Sequence, residues 1–94
     1  MSGKDYKLEI EGRFIREYGL KGYALLVYCF LRDKTIKEGG FFDSISVMCD
    51  MFDTTNPNTI YKAIDNLIAS GFCTLEKFVD GEGNLIKLYK IVRL

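Results

Sequence analysis

The sequence predicts an α+β domain: a three-helix core closed by a C-terminal two-stranded hairpin, with a strand and a short helix ahead of it. Three observations predict it. Apolar residues recur at helical spacing in three successive segments between Leu20 and Ala69. Two β-rich runs, "FCTLEKFV" and "LIKLYKIVRL", flank the glycine-bearing "DGEGN". The chain has 94 residues, 48% apolar and 14% aromatic, which suits one compact core, so residues 1–94 read as a single domain.

Each element follows from local chemistry. "YKLEI" sets Tyr6, Leu8 and Ile10 against Lys7 and Glu9, the period of a strand. "GRFIREYGL" spaces Phe14, Ile15 and Tyr18 along one face of a short helix, and Gly19 stops it. Over residues 20–34 a stripe of Leu20, Tyr23, Ala24, Val27, Phe30 and Leu31 marks a longer helix. Leu25, Leu26, Tyr28 and Cys29 fall outside that stripe and are apolar too, so this helix is covered on nearly all sides. Either it is the central helix of the domain, or part of its surface meets a second subunit. "TIKEGGFFDS" reads as a glycine-containing loop in which "FF" makes a short strand. Asp43 or Ser44 caps the next helix, "SISVMCDMF", whose inner face is Ile45, Met48 or Cys49, and Phe52. "DTTN" is a turn.

The helix after that turn carries the only proline of the chain. Asn56 is its N-cap and Pro57 its first residue, where a missing N–H costs nothing and the fixed φ is already helical. Ile60, Ala63, Ile64, Leu67 and Ile68 face inward, and Gly71 ends it. Asn58, Thr59, Lys62, Asp65, Asn66 and Ala69 face away, with Tyr61 at the margin. Near its start the outward side is small and hydrogen-bonding. A merely solvated helix is usually dressed in Lys, Glu and Arg.

Composition narrows the function. There is no histidine, no glycine-rich phosphate loop and no Gly-x-Ser-x-Gly, so no catalytic constellation presents itself and the protein reads as a non-enzyme without a cofactor. "DGEGN" lacks the spaced carboxylates and terminal glutamate of a calcium loop. Cys29, Cys49 and Cys73 are odd in number, form no Cys-x-x-Cys pair and have no histidine to join them, so they read as partly buried thiols of a reducing cytoplasm, not as metal ligands. The longest apolar run, "YALLVYCFL", is too short to span a bilayer, and no membrane partner is expected. Thirteen basic and thirteen acidic residues cancel. That balance weighs against a nucleic-acid binder unless the charges are well placed.

A helix, a turn and a helix followed directly by a hairpin resembles a winged helix-turn-helix. "SISVMCDMFDTTNPNTIYKAIDNLIASGF" carries the likeness: the cap Asn56, then Thr59 and Ile60, the apolar Ile64 and Leu67, then Gly71 and Phe72 opening the wing. It covers about residues 20–94. It departs from the family at Thr54 and Thr55, where glycine and a small aliphatic residue are commoner, and at Met48–Cys49, where Leu–Ala is. A narrower likeness rests on the N-terminal strand and short helix and on Leu20, Ala24 and Leu25–Leu31. It is to the amino-terminal domains of phage replisome organisers and plasmid replication initiators, with Lys21 standing where those have serine.

The resemblance implies a DNA-binding module of replication-initiator or transcription-regulator type, of phage, plasmid or bacterial origin. Its partner would be duplex DNA, bound as a homodimer on paired half-sites, and in replication proteins a further domain follows. The second helix of the pair then enters the major groove. Asn56, Asn58 and Thr59 hold a phosphate or a base edge, Lys62 a phosphate or guanine, Asn66 an adenine, and Tyr61 packs on a sugar or a thymine methyl. Lys77 and Lys87 of the wing grip the neighbouring backbone. Asp65 among these contacts, and Asp80 and Glu82 at the wing tip, oppose that reading. The alternative is a winged-helix module for protein interaction or dimerisation, such as a small phage-encoded inhibitor. Neutral charge and the broadly apolar central helix suit it.

Overall fold

The computed structural model describes residues 7–42 and 45–94. Its elements are α1 (Gly12–Arg16), α2 (Gly22–Glu38), β1 (Phe41–Phe42), α3 (Ile45–Met51), α4 (Pro57–Ala69), β2 (Cys73–Val79) and β3 (Leu85–Ile91). The expected caps Asp43 and Ser44, and Tyr6 of the expected first strand, lie outside the described residues.

α2 is the central helix. Five consecutive residues, Val27 to Leu31, are buried on it. They are covered by α4, β3 and β1 of the same chain, so no second subunit is needed to explain the apolar run. The helix runs four residues past the expected end at Lys34, through "TIKE", which the sequence reading placed in a loop. Local pairs extend it: Lys34 bonds Glu38 at 3.0 Å and Lys37 bonds Asp33 at 3.1 Å, both one turn apart. Thr35 adds a tie to the sheet, its hydroxyl donating to the Leu31 carbonyl at 2.7 Å and accepting the Ile91 N–H at 3.0 Å. Gly39 closes the helix with its N–H on the Thr35 carbonyl.

The sheet is antiparallel with order β1–β3–β2. β2 is therefore an edge strand. Phe41, Cys73, Leu75, Tyr89 and Ile91 share the face turned to the helices. Phe42, Phe78, Ile86 and Leu88 share the outer face. β1 can lie against β3 because Gly40 has no side chain: a Cβ there would come within 2.8 Å of Leu88 Cδ1 and 3.0 Å of the Tyr89 carbonyl oxygen. The predicted strand at the N-terminus does not form over residues 7–10. Leu8 packs on the core but Ile10 is exposed, so the alternation has no buried face to serve.

The paired helices follow the predicted chemistry closely. On α3, Ile45 and Met48 are buried, while Cys49 and Phe52 are half-buried. Its end is a Schellman motif: Thr54 N–H reaches the Cys49 carbonyl at 3.0 Å and Asp53 N–H reaches that of Asp50 at 3.3 Å. The left-handed residue of the turn is Asp53, at φ 54°. Glycine's usual place thus falls on Asp53 and not on Thr54. On α4 the Asn56 Oδ1 accepts the Asn58 N–H at 3.0 Å and Pro57 opens the helix. Ile60, Ala63, Ile64 and Leu67 are buried, as their spacing predicts. Gly71, at φ 80°, makes the left-handed step that a side chain would resist, and Phe72 N–H closes on the Leu67 carbonyl at 2.9 Å. β2 begins two residues later.

Aromatic rings lock the short α1 to this core. Phe14 meets Tyr28 edge-on with ring centroids 5.0 Å apart, and Tyr18 meets Phe72 at 5.1 Å. Among the described residues no helix is long and apolar enough to cross a membrane.

Candidate nucleic-acid interface

The exposed side of α4 is flanked by the beginning of α2. A cavity of about 330 Å³ lies between them, lined by Lys21, Tyr23, Ala24, Thr59, Lys62, Ala63 and Asn66. A second, of about 340 Å³, continues it toward Ser70 and Phe72 and shares Lys21, Ala24 and Asn66. Together they form one groove along the flank of α4. Helical geometry explains the membership: Thr59, Lys62, Asn66 and Ser70 succeed one another at steps of three or four residues. Among the described residues no carboxylate lines the groove. Asp65, which the sequence reading set among the contacts, does not line it.

The predicted site residues separate on this geometry. Thr59, Lys62 and Asn66 meet at the groove. Asn58 is exposed on the first turn, beside it in sequence. Asn56 is also exposed, but its Oδ1 is committed to the helix cap. Tyr61 is exposed and does not line the groove. Lys77 and Lys87 are directly opposite each other across β2 and β3, on the face of Leu75 and Tyr89. Beyond them the tip exposes Val79 and Leu85, also directly opposite.

The acidic wing tip owes part of its charge to its own construction. Asp80 is used to build the turn: its Oδ1 accepts the N–H groups of Glu82 and Asn84, each at 2.9 Å. Those backbone bonds hold its carboxyl below the ordinary range.

Other chemistry is committed elsewhere. Arg13 donates to Glu11 at 2.8 Å, to the Tyr18 hydroxyl at 3.0 Å and to the Leu94 carbonyl at 2.6 Å. The Arg13 hydrogen bond holds the Glu11 carboxyl below its usual value, and Arg32, 3.4 Å from the same carboxylate, adds to it. Arg13 is thus part of a seal over Phe14, not a cation held out to a ligand. Cys29 and Cys73 are buried, and burial pushes both thiols up to about 11, so neither is a thiolate near neutral pH.

Sequence reading missed Lys21 and Tyr23. Lys21 counted as one of many interleaved surface charges, and Tyr23 as part of the apolar stripe. Tyr23 is in fact 39% exposed. The only local signal is position, since both stand at the very start of α2. Their nearness to Lys62 is set by the packing of α2 on α4.

Comparison with known proteins agrees with this architecture. A family described as a helix-turn-helix domain matches residues 18–72. The match spans α2, α3 and α4 and ends where the hairpin begins. No curated protein and no solved structure matches the chain. With three helices in the right order and a small antiparallel sheet completed by the hairpin after them, the fold is that of a winged helix, and the chain belongs to the helix-turn-helix domain family.

Proposed function

We propose that this domain binds duplex DNA without catalysis and lays α4 in the major groove. One observation carries the reading: the exposed flank of α4 brings Thr59, Lys62 and Asn66 to a groove with no carboxylate among its described lining residues, within a helix-turn-helix domain. Lys62 and Thr59 serve phosphate or a guanine edge, and Asn66 has the amide that pairs bidentately with adenine. Asn58 stands at the start of the helix, where base edges come closest. The opposed Lys77 and Lys87 take the adjacent backbone. Two copies on paired half-sites, in replication initiation or gene regulation of a phage, plasmid or bacterial system, complete the proposal.

The test is fluorescence anisotropy with duplexes enriched from a random pool, at two salt concentrations. Submicromolar binding that weakens steeply with salt supports the reading. Lys62→Ala weakens it, whereas charge reversal at Glu82 changes little. Absence of binding to any duplex at low salt overturns it.

A second reading is favoured by the outer face of the sheet. Phe42 is 61% and Phe78 45% exposed there, beside the half-exposed Ile86 and Leu88. Such a strip suits a protein-interaction module. Tight self-association with no affinity for DNA favours that module.

A further inference from the structure

We propose that Lys21 and Lys62 clamp one phosphodiester of the bound DNA strand between them, with Tyr23 packed on the neighbouring deoxyribose. The inference rests on the DNA-binding reading and adds a second element, the start of α2, to the surface that makes contact.

The two lysines come from different helices and line the same cavity of about 330 Å³. Among the described residues neither forms an ion pair. Arg13, Arg32, Lys34, Lys37 and Lys90 each lie within 4 Å of a carboxylate. Two cations thus border one groove whose described lining residues carry no counter-charge, and a phosphate supplies it. The rest of the lining fits that occupant. The Thr59 hydroxyl and the Asn66 amide are hydrogen-bond donors, while Ala24 and Ala63 leave room. Tyr23, 39% exposed, offers a flat apolar ring beside the charges, where a sugar follows the phosphate.

The clamp also fixes how α4 is rotated in the groove. With the Thr59–Lys62–Asn66 flank against the backbone, the Asn66 amide serves phosphate in place of adenine, and the residues on the far side of Lys62, Asn58 and Asp65, turn toward the base edges. Lys62 then acts as a backbone contact that adds affinity on every sequence.

Anisotropy on one bound duplex and one unrelated duplex, across a salt series, tests this. Lys21→Ala is expected to weaken both by about tenfold, the size of one charge-assisted hydrogen bond, and to lower the salt slope by about 1. Lys21→Arg keeps most of the affinity. Lys21→Ala Lys62→Ala loses less than the product of the single losses, because the two share one phosphate. Lys37→Ala, which removes an equal charge from the last turn of α2, serves as the control. Lys21 makes no side-chain cap bond, so its loss leaves the helix intact, and circular dichroism checks this. If wild type binds and Lys62→Ala weakens it, but Lys21→Ala matches the Lys37→Ala control in affinity and slope, the clamp is overturned while the DNA reading stands. If wild type binds no duplex, both fall.

Discussion

Asn56 is where stability and recognition can be pulled apart. Its Oδ1 accepts a single bond, from the Asn58 N–H at 3.0 Å, while its own backbone carbonyl holds the Thr59 N–H at 3.1 Å. Asn56→Ala removes the first bond and leaves the second. The freed N–H is exposed and water partly replaces the lost oxygen, so the cost falls near the middle of the range for N-caps, about 1 kcal/mol. In a domain of this size that lowers Tm by about 4–8 °C. Asn56→Asp keeps an acceptor in the same place and adds negative charge at the positive end of the helix. It is expected to match wild type or exceed it by about 0.3–1 kcal/mol. Against DNA the order changes. The aspartate brings a carboxylate to a phosphate and weakens binding more than the alanine does. Urea denaturation followed by circular dichroism, paired with anisotropy on one duplex, reads both effects. If alanine and aspartate destabilise equally, Oδ1 is not the capping atom. If Asn56→Asp binds DNA as tightly as wild type, the start of α4 does not approach the backbone.

Two further expectations concern stability. Asp53→Gly relieves a side chain held at φ 54° at the end of α3, and the gain outweighs the extra freedom of glycine in the unfolded chain, raising stability by about 0.5 kcal/mol. A urea midpoint that falls at unchanged slope contradicts this. At alkaline pH the domain loses stability from its buried acids. Burial pushes Cys29 and Cys73 from 9.0 to about 11 and Tyr28 from 10.0 to about 12. The folded chain then holds these protons more tightly than the unfolded chain, so unfolding releases protons between pH 9 and 12 and becomes easier as pH rises. The contribution is whole below pH 9 and lost as pH passes 11 and then 12. Urea midpoints at about pH 8 and about pH 10.5 measure the fall, and Cys73→Ala flattens its first part. A midpoint independent of pH across that interval refutes the assignment.

What could be read from the sequence was whatever local chemistry decides. Asn56, Pro57 and Gly71 each act within a turn of their own position, and the bounds of α4 follow from them. The spacing of Ile60, Ile64 and Leu67 marks the buried side without knowledge of what covers it. α2 ends later than its spacing predicts because "TIKE" carries no strong signal alone; its pairs with Asp33 and Lys34 and its cap at Gly39 decide the matter. "YKLEI" fails in the opposite way, since alternation is necessary for a half-buried strand and not sufficient. The site shows the same division. Lys62 and Asn66 are visible as the polar side of a helix, but their neighbours Lys21 and Tyr23 arrive through the packing of α2 on α4, which no local pattern encodes.

The edge position of β2 bears on how two copies could meet. Antiparallel pairing of this strand with itself, in the register that uses all seven residues from Cys73 to Val79, sets two copies of Glu76 face to face. Sliding by one residue toward the tip sets two copies of Lys77 face to face instead. Like charges directly opposite oppose pairing in both registers. In these two registers the strand opposes pairing with its own copy, while the outward strip around Phe42 and Phe78 stays exposed as another surface.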